Sequence, residues 1–291
     1  MDVLNPSPAL CLPQAMWLTY RTIMERPDLS EEEILALVTP TAMRESTPGG
    51  GAHATRALRG LREFGLVQQS DDGLYSAEKV EGTAGFIRLL RHRLVAPPAK
   101  FGAEMKGAPD LRQGLIWLMR QIPAQPLHWE DVETSMPANL FTNDTRWNAF
   151  RWWSKALGMS QTALAIMAEG TGQKLTGAKI VADPTEAVID VIRHPLGTPP
   201  LRREPIPIQQ LLAFLRDELP VLPGHPSATY EGLADADSDT GMRALGLALS
   251  CAEARGVLSM TYQSDPSGVM ALPDAQDHGR NRYVSAVTIE G

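Results

Sequence analysis

Along this chain a helical spacing of apolar residues gives way, at intervals, to a glycine, a short apolar pair and a turn. The clearest instance is residues 44–78, RESTPGGGAHATRALRGLREFGLVQQSDDGLYSAE. Ala54, Ala57, Leu58, Leu61 and Phe64 share one broad helical face, and Gly65 stands where a helix commonly ends in left-handed backbone. Leu66-Val67 and Leu74-Tyr75 flank the turn Ser70-Asp71-Asp72-Gly73, which predicts a short hairpin. Helix, glycine, strand, Asp-Gly turn and strand make the second half of a winged helix-turn-helix. Two earlier helices complete the count. The first, 13–25, carries Met16, Trp17, Leu18 and Ile23 and is stopped by Pro27. The second, 31–38, opens on a capping box of Ser30 and Glu33, directs Ile34, Leu35 and Val38 inward and ends at Pro40.

The theme recurs. A helix over 83–94 leads into VAPPAKFGAEMKGAP, a linker or a clamp against a partner. Helices over 110–121, 128–132 and 146–157 then repeat the order of the first segment, with Gly158 ending the third, so 110–182 reads as a second, degenerate winged helix. Its wing, 160–182, is long: 163–169 reads as helix and 179–182 as strand. Asp183-Pro184-Thr185-Glu186 restarts a helix through Val191 and Ile192, and another covers 208–219 after a proline-rich crossing. The last segment has a helix over 242–255, then Gly256, then strands over 257–262, 269–272 and 283–289. The expected fold class is mainly α with small β wings, an α+β chain of serial winged helix-turn-helix domains joined by helical and Pro-rich linkers. Its expected parts are 1–78, 79–109, 110–228 and 229–291.

Composition narrows the setting. The 291 residues are 43% hydrophobic and 21% charged, as in ordinary globular protein, and no apolar run reaches the roughly 18 residues of a membrane span. The N-terminal MDVLNPSPALCLPQ lacks a basic region and breaks its apolar stretch with prolines, so it is not a signal peptide. Cys11 and Cys251 are far apart and in no metal-ligand spacing, which suits a reducing cytoplasm. A net charge of −7 argues against a protein that coats nucleic acid indiscriminately, but the charge is polarised. Arg88, Arg91, Arg93, Lys100 and Lys106 face only Glu104 across 86–106, whereas 229–291 holds nine acids and four arginines.

Searching for chemistry returns little. The chain has no G-x-x-x-x-G-K-[ST], no G-x-G-x-x-G after a strand, no H-E-x-x-H, no C-x-x-C and no G-x-S-x-G. No catalytic residue, metal site or cofactor is expected. The candidates concern binding. Arg56, Arg59 and Arg62 recur every three residues along the third helix, outside its core face, and suit a helix lying against DNA phosphates as well as an ordinary solvated face. Thr47, Gly50, Gly51 and His53 at its start could present backbone N–H groups to a phosphate or form a flexible turn. Arg88, Arg91 and Arg93 extend the basic set. Trp147, Phe150 and Trp153 share a core face, leaving Trp152 for a partner. Asp235, Asp237 and Asp239 form an acidic cluster that reads as a solvated loop with one N-cap or as a docking point for a basic partner.

The strings NDTRWNAFRWWSKALGMS, ADPTEAV, ALGLALSCAEARGVLSMTYQSDPSG and YVSAVTI, in this order over 110–291, resemble the DpdG proteins. These belong to bacterial gene clusters that insert 7-deazaguanine derivatives into DNA and restrict unmodified DNA. The resemblance implies a helper on the restriction side with other protein subunits as partners, and it supplies no active-site residues. The expected function is a non-enzymatic adaptor that contacts the duplex DNA backbone in a multi-protein defence complex. The alternatives are a winged-helix scaffold that binds only protein, and a transcription regulator, which would account for the first domain alone.

Overall fold

Proline, serine and glycine fix where the first helices begin and end. The computed structural model describes residues 1–291 except 8, 47–49, 71–72, 98–106, 124, 135, 137–139, 164–178, 230–237, 263–267, 274–279 and 291. In it α1 spans Pro13–Glu25 and α2 spans Glu31–Val38. The capping box of α2 is formed: Ser30 N–H donates to Glu33 Oε2 at 2.9 Å, and Glu33 N–H donates to Ser30 Oγ at 3.3 Å. A short helix absent from the sequence reading, α3 (Thr41–Ser46), follows Pro40 and precedes α4 (Ala52–Glu63). β1 (Val67–Ser70) and β2 (Gly73–Ser76) pair antiparallel, with Val67 opposite Ser76. α5 (Gly82–Val95) sets Phe86 against Tyr20 and Trp17 of α1, at ring-centroid distances of 5.1 and 5.3 Å.

The chain continues through α6 (Pro109–Leu118), α7 (Trp129–Val132), α8 (Asp144–Ala156), β3 (Ser160–Thr162) and β4 (Ile180–Ala182). β4 lies between β3 and a bridge at Leu127, whose N–H donates to Ile180 O at 2.7 Å. Then come α9 (Thr185–Arg193), β5 (Pro205–Pro207), α10 (Ile208–Glu218), α11 (Ser238–Ala254), β6 (Leu258–Thr261), β7 (Met270–Pro273), β8 (Asn281–Val284) and β9 (Ala286–Ile289). The expected single strand over 283–289 is divided at Ser285. Its N–H donates to Thr261 O and its carbonyl accepts from Ile208 N–H, both at 3.0 Å. β8 therefore pairs with β7, while β9 is the middle strand of the sheet β5-β9-β6. In both three-membered arrangements the last segment in sequence lies between the two earlier ones. Among the described elements the order around them is also similar, helix, extended segment, helix, helix, strand, strand, except that the second arrangement carries the β7–β8 pair before its last strand.

The chain forms two compact units, Met1–Arg112 with Phe141–Ala156, and Gln113–Leu140 with Leu157–Gly291. This division differs from the four parts drawn on the sequence. In the first unit, α8 buries Trp147, Phe150 and Trp153, as its spacing predicted, and Trp153 Nε1–H donates to Cys11 O at 2.8 Å. That carbonyl is far away in sequence, so helical periodicity could not reveal the attachment. In the second unit, α11 packs on α9, and α9 on α10. Val188, Val191 and Ile192 of α9 and Leu211, Leu212 and Leu215 of α10 are buried there with Leu245 and Leu249. Residues 185–219 thus share a unit with the C-terminal segment, although a boundary was expected between them.

Each glycine expected to stop a helix has left-handed backbone: Gly65 at φ +67°, Gly158 at +75° and Gly256 at +64°. After α4 and α11 the next residue's N–H reaches back five positions, Leu66 to Leu61 O at 2.8 Å and Val257 to Ala252 O at 2.9 Å, the Schellman pattern. The surroundings of these glycines differ. A Cβ on Gly256 would meet nothing within 4 Å, while one on Gly158 would stand 2.9 Å from Ala187 N. Gly256→Ala should therefore lower unfolding stability by about 1–2 kcal/mol for the left-handed backbone alone. Gly158→Ala should cost more, because α9 must also shift, and urea unfolding of the two variants measures the difference.

Candidate interface around the fourth helix

Steps of three residues along a helix do not keep one face: each turns by about 300°, so residues six apart diverge by about 120°. Arg56, Arg59 and Arg62 accordingly fan across α4 and do not form a stripe. Arg56 points inward and is only 8% exposed. Its guanidinium donates to Ser7 O and, at 2.9 Å, to Asp2 O, while its Nε is buried without an acceptor. The outward position expected for Arg56 is corrected by this clamp, which lies some 50 residues away in sequence. Arg59 is exposed and ion-paired to Glu63 at 2.8 Å. Arg62 bonds Glu31 Oε2 at 2.6 Å and Gln69 Oε1 at 3.0 Å. His53 Nδ1 lies 2.8 Å from Leu10 O.

The second basic group divides in the same way. Arg91 of α5, expected outside, is 4% exposed, because it follows Leu90 onto the edge of the buried face. Arg93 pairs with Glu78 at 3.0 Å, and Arg88 is half-buried.

Four of the sequence candidates do converge. Gly50, Gly51, Arg56 and Arg59 line a cleft of about 920 Å³ at the start of α4, together with Arg44, Glu31, Glu32 and Leu35. Thr47 lies outside the described residues. Gly51, at φ +94°, begins α4 with no side-chain cap and no acid in the first turn. The helix N-terminus thus adds partial positive charge to a wall that also carries Arg44 and Arg59. Glu31 and Glu32 on α2 oppose it. The cleft is mixed in charge and is no phosphate cradle by composition.

The N-terminal segment is the feature that sequence reasoning missed. Val3 and Leu4 are fully buried, and the segment is held by charge at both ends. Asp2 forms a two-point pair with Arg146 of α8, at 3.1 and 2.5 Å, and Leu4 N–H donates to Asp110 Oδ2 at 2.8 Å. Asp110 Oδ1 is buried and meets no donor, and the side chain beside it is the carboxyl of Asp2. A proton held between the two acids satisfies both. Burial first, and Asp2 second, push the Asp110 carboxyl up to about 7. Burial works against ionised Asp2, but the Asp110 hydrogen bond and the Arg146 guanidinium outweigh it and hold Asp2 below the usual range. Burial also pushes the Cys11 thiol up to about 12, so it is an inert core residue at neutral pH. The only sequence signal for this arrangement was Asp2 itself, an acid in an otherwise uncharged stretch.

Trp152 is 49% exposed, as expected for the residue left off the core face. Asp235 and Asp237 lie outside the described residues, as does the side chain of Asp239, which stands in the first turn of α11. Among the described residues no three His, Cys, Asp or Glu side chains gather to hold a metal ion. No described helix is long and apolar enough to cross a membrane.

Helices with small antiparallel sheets, an α+β arrangement, define the class. The chain belongs to the DpdG-like family, whose sequence model matches residues 1–266. Membership links it to the Dpd system. The match takes in the first helices and hairpin, where the sequence alone offered only a generic pattern, and it ends before the terminal strands. Comparison with curated proteins and with solved structures gives no match.

The acid pair sets a pH dependence. Asp110 titrates near 7 in the folded chain against an ordinary value of 3.8, so between about pH 4 and pH 7 the folded state keeps a proton that the unfolded chain releases. Its contribution to stability is therefore full below about pH 4, falls as pH rises to about 7 and is level beyond. Asp110→Asn retains an acceptor for Leu4 N–H and a donor towards Asp2 without ionising. The variant should lose this fall and be the more stable protein above about pH 7, as measured by urea unfolding across the range.

Proposed function

We propose that this chain is a non-enzymatic scaffold subunit of the Dpd system, acting in the cytoplasm through serial winged helices that bind other protein subunits. Three segments support the winged-helix reading. The described elements of 13–76 are helices followed by a hairpin, while 109–182 and 185–289 share a middle-strand placement and an element order that differs by the β7–β8 pair. The observation that carries the scaffold reading is the condition of the cations on α4 and α5. Arg56 and Arg91 are buried, and Arg59, Arg62 and Arg93 are in ion pairs within the chain. A helix that binds duplex backbone needs arginines available to replace counterions. Here only the ion-paired Arg59 remains well exposed.

A second reading, contact with the duplex backbone, is favoured by one observation. Exposed Arg44 and Arg59 stand with the uncapped start of α4 on one cleft wall. A salt titration of duplex binding for wild type and Arg44→Ala/Arg59→Ala separates the two. The scaffold reading expects weak binding and the same log–log slope in both proteins. Backbone contact by both arginines expects the variant's slope to be shallower by about 2 units, at about 0.9 per phosphate. The same purified chain is expected neither to cut DNA nor to hydrolyse nucleotides with Mg²⁺, and turnover in either assay would overturn the non-enzymatic part.

A further inference from the structure

The arginines of α4 and α5 are engaged within the chain, but a second group, in the other unit, is not. Arg193 ends α9, and Arg202 and Arg203 lie nine and ten residues further on, just before β5; all three are exposed. None has an acidic partner among the described residues. Arg202 Nη2 donates only to the carbonyl of Arg193, at 3.2 Å, and that bond brings the two ends of the loop together. Leu196 and Leu201, on the same loop, are 51% and 57% exposed. Acids nearby among the described residues include Asp190 on α9, three residues before Arg193, Glu204, which is exposed, Glu290, which accepts from Ser259 Oγ at 3.1 Å, and Glu218, which is buried.

Two features show that this loop is built. Glu218 of α10 accepts the N–H groups of Leu196 and Gly197 at 3.1 and 2.6 Å, pinning the first half. Arg203 N–H donates to Ile289 O at 3.0 Å, and Arg202 bridges the same residue, pinning the second half to β9. Arg203 also has φ +62° and is the one non-glycine with positive φ among the described residues. Glycine or asparagine adopts that backbone with less strain. An arginine held there by the end of β9 marks the position as one where the side chain matters.

We propose that the Arg193–Arg202–Arg203 cluster with Leu196 and Leu201 is a docking surface for an acidic, leucine-bearing segment of a protein partner. Charge complementarity selects an anionic partner, since three exposed arginines stand here with no ion pair among the described residues, in a chain of net charge −7. The leucines select protein over DNA, because contacts to duplex backbone are polar and basic whereas protein interfaces combine arginine with an apolar centre. Position agrees. The cluster sits beside Ile289, at the end of β9 opposite Ala286, whereas the β7–β8 hairpin, the wing of this unit, adjoins the Ala286 end through Ser285. The surface shares with the scaffold reading only the supposition of a protein partner and does not involve α4, so either can fail alone.

The test uses the full chain and a fluorescein-labelled copolymer of glutamate and leucine, with polyglutamate and duplex DNA as comparison probes, read by anisotropy. Wild type should bind the copolymer more tightly than polyglutamate. Arg202→Ala/Arg203→Gly should weaken copolymer binding by on the order of tenfold, as expected for losing two exposed charge contacts. Arg203→Gly alone should weaken it less while leaving the thermal midpoint equal or higher, because glycine relieves the backbone, so loss of binding is separated from loss of fold. Leu196→Ser/Leu201→Ser should reduce the preference for the copolymer over polyglutamate. Duplex DNA bound more tightly than the copolymer, and lost in the arginine variant, would overturn the protein partner in favour of nucleic acid. Failure of wild type to bind the copolymer, or binding unchanged in the arginine variant, would overturn the surface itself.

Discussion

One buried guanidinium orders the first unit. Arg56 sits in the middle of α4 and donates to the carbonyls of Asp2 and Ser7, so the N-terminal segment is fastened to the face of the helix that a DNA-binding protein would leave open. Neutral carbonyls compensate a buried cation only in part, and the wider set of charges around the segment completes the arrangement. Arg146 pairs with Asp2, the Asp110 carboxyl beside Asp2 is pushed towards its neutral form, and Asp110 receives Leu4 N–H. Each group is bearable in the interior because the next one is present. Removing Arg56 would leave two carbonyls without donors and Asp2 with one cation fewer nearby, which is the costly way to break such a network.

That dependence explains what could and could not be read from the chain. Local chemistry was legible wherever a residue acts on its own neighbours. Pro13, the Ser30–Glu33 box and the glycines at 65, 158 and 256 placed helix ends within a few residues. The core face of Trp147, Phe150 and Trp153 followed from spacing alone. Partners distant in sequence were not legible. The inward turn of Arg56 needs the carbonyls of residues 2 and 7, the attachment of α8 needs Cys11 O, and the division of 283–289 needs Ser285 to bond Thr261 and Ile208. β5 was also missed. A Pro-Ile-Pro strand lacks two N–H groups and has no strand signature until β9 is there to pair with it.

The candidate site shows the same division. Arginine spacing along α4 was read as a stripe, and a rotation argument already available in the sequence would have separated Arg56 from Arg62. No such argument could have found Arg193 with Arg202 and Arg203, because a turn at Pro195–Gly197 and the end of β9 bring them together. Counting basic residues pointed to the N-terminal third. The structure distributes availability differently, since Arg56 and Arg91 are buried and Arg59, Arg62 and Arg93 are ion-paired.

Availability, more than number, then decides how an acidic chain can meet partners. Arginines in ion pairs add little to long-range attraction, because each is accompanied by its counter-charge within a few ångströms and the pair is screened over a Debye length of about 8 Å. Uncompensated arginines on a pinned loop keep their field and lose little conformational freedom when a partner arrives. In this chain that combination occurs at residues 193–203, where the Glu218 carboxylate and the Ile289 carbonyl anchor a loop that bears arginines and exposed leucines. The first unit offers the reverse: a cleft of comparable charge of both signs, closed on one side by its own N-terminal segment. A chain built this way presents one surface already neutralised within itself and one whose described arginines are not, and under the proposed reading the second is the surface on which an assembly would impose a choice of partner.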